Sequence, residues 1–302
     1  MHRTPGPARG SVEMPRISVI IPTFNRPARL ASCLESLARQ NYPVEYFEVI
    51  VVDDGGHTSL DGVTRPFQDI LNIKLVKQQN TGPAGARNTG VANASGELIA
   101  LIDDDCAPAE DWLATLTQHL QQDPSRMYGG YTVNALDDNI YSTASQLMID
   151  FLYGYYNADP DQARFLTSNN MAMTRSLYEA VGGFDTSFPG ACGEDREFCD
   201  RWLYLGHRIS FVPDARILHS HDLTLHSFWK QHFNYGTGAK RFWECKVRRE
   251  QASRQTEPFT FYADLVSHAW RKKLPHRFAL SLLMILSQFA NTTGFLRARF
   301  LG

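Results

Sequence analysis

The sequence predicts an α/β protein built on a doubly wound, mainly parallel sheet, and three observations carry that expectation. Short apolar, β-branched runs alternate with helical patterns along the first half of the chain. The runs are apolar throughout rather than every second residue, as in strands buried on both faces. Acidic or Gly-rich segments follow them directly, where the carboxyl ends of parallel strands form a ligand crevice.

Residues 1–15 are rich in Pro, Gly and Arg and lack the apolar core of a secretory signal, so a disordered leader is expected. ISVIIPTF at 17–24 is the first strand. RPARLASCLESLAR at 26–39 places Leu30, Cys33, Leu34 and Leu37 at helical spacing. EVIVV at 48–52 is the second strand, 72–77 a weaker third, 83–94 a helix, and ELIALI at 97–102 a strong strand ending in three aspartates. The helix DWLATLTQHLQQ follows at 111–122. GGYTV at 129–133 rejoins the sheet, 168–174 is another strand, and GGFDTSFPG at 182–190 a loop. Glu194 to Leu205 puts Phe198, Trp202 and Leu205 on one helix face, with Gly206 as the stop. A last short strand spans 208–212. Residues 137–161 carry no readable motif.

The 302 residues hold 30 Lys and Arg against 32 Asp and Glu, with 43% hydrophobic residues, which excludes disorder and collagen-like repeats for the bulk of the chain. The near-neutral total hides two opposite parts. From Phe228 to Gly302 there are 13 Lys and Arg against 4 Asp and Glu, and the preceding residues carry the acidic excess. This split suggests a cationic ligand for the first part and an anionic surface for the second. Five cysteines without a CxxC pair indicate neither a disulfide framework nor a zinc knuckle, and fit a reducing cytosol.

Asp103, Asp104 and Asp105 stand where a buried strand ends, and a hard divalent cation is the usual relief for adjacent carboxylates in a crevice. Asp53 and Asp54, before Gly55 and Gly56, are placed in the same way. Taken alone they read as turn residues. NTGPAGARNTG at 80–90 offers small residues and Arg87 for a phosphate, yet matches neither a dinucleotide fingerprint nor a P-loop. Glu194 and Asp195 open a helix, where the macrodipole favours carboxylates and keeps one ionised, as a general base must be. His219 and His221 could place one imidazole on a metal.

IIPTFNR at 20–26, VVDDG at 51–55, GPAGARNTG at 82–90, LIDDDC at 101–106, GGFD at 182–185, GED at 193–195 and the late His219 together resemble family 2 glycosyltransferases, inverting enzymes of the GT-A fold. The resemblance covers about residues 16–222. It implies a catalytic domain over 16–226, with Thr23, Asn25, Arg26, Asp53, Asp54 and Arg87 lining the nucleotide pocket. Asp103 and Asp104 would face the nucleotide sugar, with Asp103 on the ribose or uracil side. Asp105, the last residue of a D-x-D motif, would bind Mn2+ or Mg2+, completed by His219 or His221. Asp195 would be the catalytic base without an unusual pKa, and Glu194 would sit near donor or acceptor hydroxyls. The implied reaction moves a sugar from a nucleotide-diphosphate donor, preferably a UDP-sugar, to a saccharide or lipid-linked acceptor in cell-surface polysaccharide or glycoconjugate synthesis. A nucleotidyltransferase of similar fold and a noncatalytic nucleotide-sugar-binding protein are the alternatives.

Residues 227–302 read as a basic, aromatic-rich helical region. Aromatics interleaved with Lys230, Lys240 and Arg241 suit a membrane interface better than nucleic acid. Phe278 to Leu296 is free of charge and just long enough to span, but Ser281, Gln288 and Thr292 share one side, which favours an interfacial helix over a spanning one. A helix packed on the catalytic domain or on a second subunit is nearly as well supported, and a homo-oligomer stays open. The expected location is the cytoplasm, at the inner face of the cytoplasmic membrane.

Overall fold

The computed structural model describes residues 16–188, 190–249 and 257–300. The leader expected over 1–15 lies outside them. Strands β1 (Ile17–Thr23), β2 (Phe47–Asp53), β3 (Ile73–Lys77) and β4 (Leu98–Leu101) are linked by helices α1 (Pro27–Leu37), α2 (Asp61–Thr64) and α3 (Gly82–Ala92). Then come β5 (Cys106–Pro108), α4 (Trp112–Gln122), β6 (Arg126–Asn134), α5 (Ile140–Tyr156), β7 (Met171–Thr174), α6 (Arg175–Val181), α7 (Glu194–Tyr204) and β8 (Arg208–His219). Three helices follow: α8 (Leu225–Arg248), α9 (Phe259–Arg271) and α10 (Arg277–Phe300).

The strands form a mixed sheet in the order β3-β2-β1-β4-β7-β6-β8-β5. The β3-β2-β1-β4 half is parallel, while β7 runs against both β4 and β6, and β5 against β8. Each central strand feeds two cores. Ile17, Val19 and Ile21 pack with Leu30 and Leu34 of α1 and Trp112 of α4 on one face. On the other, Ile20, Ile50 and Val52 pack with Val91 of α3 and Phe198 and Trp202 of α7. Burial on both sides explains why these strands are apolar at every position.

Beyond the unforeseen β5 and α6, two departures from the sequence expectation shape the fold. Strand β8 does not stop at Val212 but continues to His219, because a register shift between Gly130 and Tyr131 absorbs Pro213, Asp214 and Ala215 before pairing resumes at Arg216. Residues 140–156, within the stretch without a motif, form a helix whose N-cap Asn139 accepts from the amides of Tyr141 and Ser142. Its Ile, Thr and aromatic content is poor in intrinsic helix propensity. Burial of Leu147, Met148 and Phe151 against Phe228, Phe261, Leu280 and Met284 supplies the missing stability.

The C-terminal helices are attached to the sheet domain through α8 and through their packing on α5. A capping box starts that helix, with Thr224 and Ser227 exchanging side-chain to backbone hydrogen bonds. Helix α10 crosses it so closely that a Cβ on Gly236 would lie 1.9 Å from the Asn291 carbonyl oxygen, and one on Gly294 1.9 Å from that of Phe233. Part of the basic excess is also consumed here. Arg249 pairs with Glu197 and Asp200 at 2.7 Å each, Lys246 with Asp200 at 3.1 Å, and Arg241 with Asp185 at 3.4 Å.

Candidate active site

β1, β2 and β4 are parallel neighbours, so Thr23, Asp53 and the turn after Leu101 emerge at the same edge of the sheet. Asp103, Asp104 and Asp105 occupy that turn, and each meets an arginine. Asp104 is buried, accepts from the Thr23 hydroxyl at 2.7 Å and from Arg26 at 3.2 Å, and burial pushes its pKa up to about 6. Asp105 receives Arg26 at 3.3 Å and Arg29 at 2.9 Å on Oδ2, while its Oδ1 lies 3.3 Å from His219 Nε2. Burial opposes its ionisation, but the hydrogen bond and charge of His219, with Arg26, hold the carboxyl well below the usual range. Like-charge repulsion in the Asp turn is thus relieved by arginine side chains.

The pairing of β5 with β8 sets Cys106 opposite His219, and the Ser220 amide donates to the Asp105 carbonyl at 2.9 Å. The His219 and His221 rings are 5.1 Å apart. Burial and the neighbouring His219 lower His221 to about 4, so it is a neutral imidazole with a free lone pair at neutral pH. The possible ligand atoms of Asp105, Cys106 and His219 all lie within 4.8 Å of one another. The Cys106 thiol is buried and its pKa is raised well above the ordinary value, which keeps it protonated and a poor ligand. Carboxylate oxygen with imidazole nitrogen is a donor set that fits a divalent ion such as Mn2+, and Asp105 Oδ1 faces away from the arginines that hold Oδ2.

At the other end, Gly193, with φ of 104°, turns the chain into α7 and its first turn carries Glu194, Asp195 and Glu197. Arg87 reaches from α3 with Nη2 2.7 Å from Asp103 and Nη1 3.2 Å from Glu194. One buried guanidinium therefore ties the Asp turn to the start of α7. Glu194 Oε2 also accepts the Cys192 amide at 2.8 Å. Asp195 is partly open yet deep in the protein, and its pKa is raised by burial first and by the Glu194 charge second. This corrects the expectation that Asp195 would have an ordinary pKa. The helix start does not outweigh the desolvation and the adjacent carboxylate.

The residues expected in a nucleotide pocket are gathered at this edge, but several are fully engaged with the chain itself. Asp54 accepts from the Thr81 amide at 2.8 Å, the Gly82 amide at 2.9 Å and Gln78 at 2.7 Å, so it fastens the start of α3. Asp53 accepts the Gly56 amide at 2.8 Å, and Asn25, with φ of 55°, accepts the His57 amide at 2.8 Å. Arg87, read in the sequence as a phosphate cation, is an internal bridge. Arg29 was missed, although it lies one helical turn after Arg26 and on the same side of α1. An open cleft of about 580 Å3 begins beside it, lined by Leu136, Asp138, Asn139, Ser220 and Asp222.

Comparison with known proteins agrees with this architecture. The glycosyl transferase family 2 model matches residues 18–182, and a second model, the N-terminal domain of galactosyltransferase, matches 157–224. Glycosyltransferase AglE of Haloferax volcanii is 26% identical over 233 residues, covering 76% of this chain and 75% of that protein. Validoxylamine A glucosyltransferase of Streptomyces hygroscopicus subsp. jinggangensis is 30% identical over 224 residues, 65% of this chain, which spans about half (51%) of that relative. Among solved structures, the mannosyltransferase PcManGT from Pyrobaculum calidifontis in complex with GDP-Man and Mn2+ superposes with a TM-score of 0.69 at 18% identity, covering 96% of this chain and 88% of that one. S. aureus TarS 1–349 in complex with UDP-GlcNAc gives 0.55 at 18% identity, covering 94% and 91%. With the family match over more than half its length and GT-A structures as its neighbours, the chain belongs to glycosyl transferase family 2 and is a glycosyltransferase.

Proposed function

We propose that the chain is a metal-dependent inverting glycosyltransferase that moves a sugar from a nucleotide-diphosphate donor, preferably a UDP-sugar, to a hydroxyl of a saccharide or lipid-linked acceptor. The observation that carries this reading is the Arg87 bridge, which ties the donor-side Asp103 to Glu194, the neighbour of Asp195 at the start of α7. Glycosyltransferase membership sets the nucleotidyltransferase and noncatalytic alternatives aside. The Mn2+ in the mannosyltransferase complex supports metal use, and its GDP-Man beside the UDP-GlcNAc of TarS leaves the base to experiment.

In this mechanism Asp105 and His219, with His221 alongside, would hold the ion, which would supply positive charge to the departing diphosphate. Thr23, Asn25, Arg26 and the loop fastened by Asp53 and Asp54 bound the nucleotide side, and Asp104 keeps Arg26 in place. The acceptor oxygen attacks the sugar C1 as the bond from C1 to the phosphate oxygen breaks. The bonding pair leaves on the diphosphate, and Asp195 takes the acceptor proton. Glu194 keeps Arg87 oriented and raises the affinity of Asp195 for that proton. A single displacement inverts the anomeric centre. The basic C-terminal helices would bring this site to the inner face of the cytoplasmic membrane, for polysaccharide or glycoconjugate synthesis.

Calorimetry with a panel of UDP- and GDP-sugars, with and without Mn2+, tests the reading. Donor binding at least tenfold tighter with Mn2+ is expected, and metal-independent affinity would overturn the assignment of Asp105.

A further inference from the structure

Helix α10 is long and apolar enough to cross a membrane by length and composition, yet only 28% of its most apolar window is buried. At about 100° per residue, its buried residues Leu280, Met284, Ser287, Ala290 and Gly294 centre on one side. Phe278, Leu282, Ile285, Phe289, Leu296 and Phe300, each between 43% and 72% exposed, fall on the opposite side within a stripe about 60° wide. The stripe is about 33 Å long. Polar groups along the helix do not interrupt it. The hydroxyls of Thr292 and Thr293 bond back to the carbonyls of Gln288 and Phe289, and Ser281 donates to Val266 of α9. Because the other side is seated on α8 at Gly236 and Gly294, the helix cannot be surrounded by lipid and does not span alone.

Charge distinguishes the occupant. Arg271 and Lys272 are neutralised by Asp264 and Asp150, but among the described residues Lys273, Arg277, Arg297 and Arg299 form no ion pair with a carboxylate. They stand at the two ends of the stripe. At its start, Lys273, His276, Arg277 and Phe278 line an open pocket of about 730 Å3 at the α9–α10 corner. Arg277 lies 4.5 Å over the Trp270 ring, which also packs on Phe278 at 4.5 Å. A second copy of the chain would bring the same cations against one another, whereas an anionic lipid surface complements both the cations and the apolar stripe.

We propose that α10 lies flat on an anionic phospholipid bilayer, with the Phe278 to Phe300 stripe among the acyl chains and the α9–α10 corner holding a lipid phosphate. This deepens the membrane part of the function proposed above, and rests on it. The arrangement is interfacial, and it places the docking face on a helix whose other side packs on α8 and α5.

The test is co-sedimentation of the full chain with vesicles of phosphatidylcholine alone and of phosphatidylcholine mixed with phosphatidylglycerol. Binding to the mixed vesicles should be at least about tenfold tighter. Leu282→Asp with Phe289→Asp should abolish binding to both, and both sites are exposed enough to leave the fold intact, as thermal melting would verify. Lys273→Glu with Arg277→Glu should remove only the preference for the anionic lipid. Equal binding by the wild type to both vesicles, or by the Asp variant and the wild type, overturns the proposal. So does a dimer in lipid-free ultracentrifugation that the Asp variant dissociates, which would assign the stripe to a second copy. Sedimentation reads no donor chemistry, so failure here and failure of the calorimetry above are separate results.

Discussion

Asp105 and Asp195 are two aspartates at opposite ends of the side-chain cluster that Arg87 ties together, and their surroundings drive them in opposite directions. Both are deep enough for burial to penalise ionisation. Asp105 meets His219, Arg26 and Arg29 within 3.3 Å, and its carboxyl stays ionised far into acid. Among the described residues Asp195 accepts the Arg196 amide at 2.8 Å, and burial first and the Glu194 charge second raise its pKa. The difference separates two kinds of work. A group that holds a cation must remain an anion at every working pH, while a group that accepts a proton gains from a pKa near that pH.

The largest test of this contrast removes the proton acceptor. Asp195→Asn should lower kcat by about 10^2 to 10^4 with donor affinity nearly unchanged, because the lost interaction belongs to the transition state. Turnover close to wild type would take Asp195 out of the role. Asp105→Ala is expected to act on binding instead, weakening Mn2+-dependent donor affinity by about tenfold to a hundredfold, as outer and inner partners of metal sites commonly do. An equal loss of kcat in the two variants, with donor affinity untouched in both, would erase the distinction between the ends.

Much of this cluster was legible because its residues follow strand ends. The runs at 17–24, 48–52 and 97–102 lie within one residue or so of β1, β2 and β4, since continuous apolar runs have few other uses in a chain of this composition. The acidic turns after them therefore had a place before they had partners. Partners were not legible. Arg87 to Glu194 spans 107 positions, and nothing local in GPAGARNTG distinguishes a phosphate ligand from an internal bridge. The same limit hid the raised pKa of Asp195, which depends on packing around α7 rather than on its first turn. β5 has three residues and pairs only through His219, Leu218 and Ile217, so no sequence pattern could have announced it. In the C-terminal region the charge excess was visible, but not its division into cations spent on α7 and cations left at the ends of α10.

The smallest effect should be a shift in pH rather than a loss of rate. Below its pKa Asp195 carries the proton it needs to accept, so kcat falls as the medium is acidified, and a raised pKa moves that fall toward neutrality. The Glu194 charge is, after burial, the main cause of the raised value. Glu194→Gln keeps an oxygen for Arg87, gives up the acceptor that the Cys192 amide uses, and removes the like charge, so the Asp195 pKa should drop. The acid limb of the kcat profile should then move to lower pH, by roughly a unit or less. Movement to higher pH would mean that Glu194 acts mainly by holding Arg87 beside Asp195, and that the contrast between the two ends is set by the arginine rather than by the paired carboxylates.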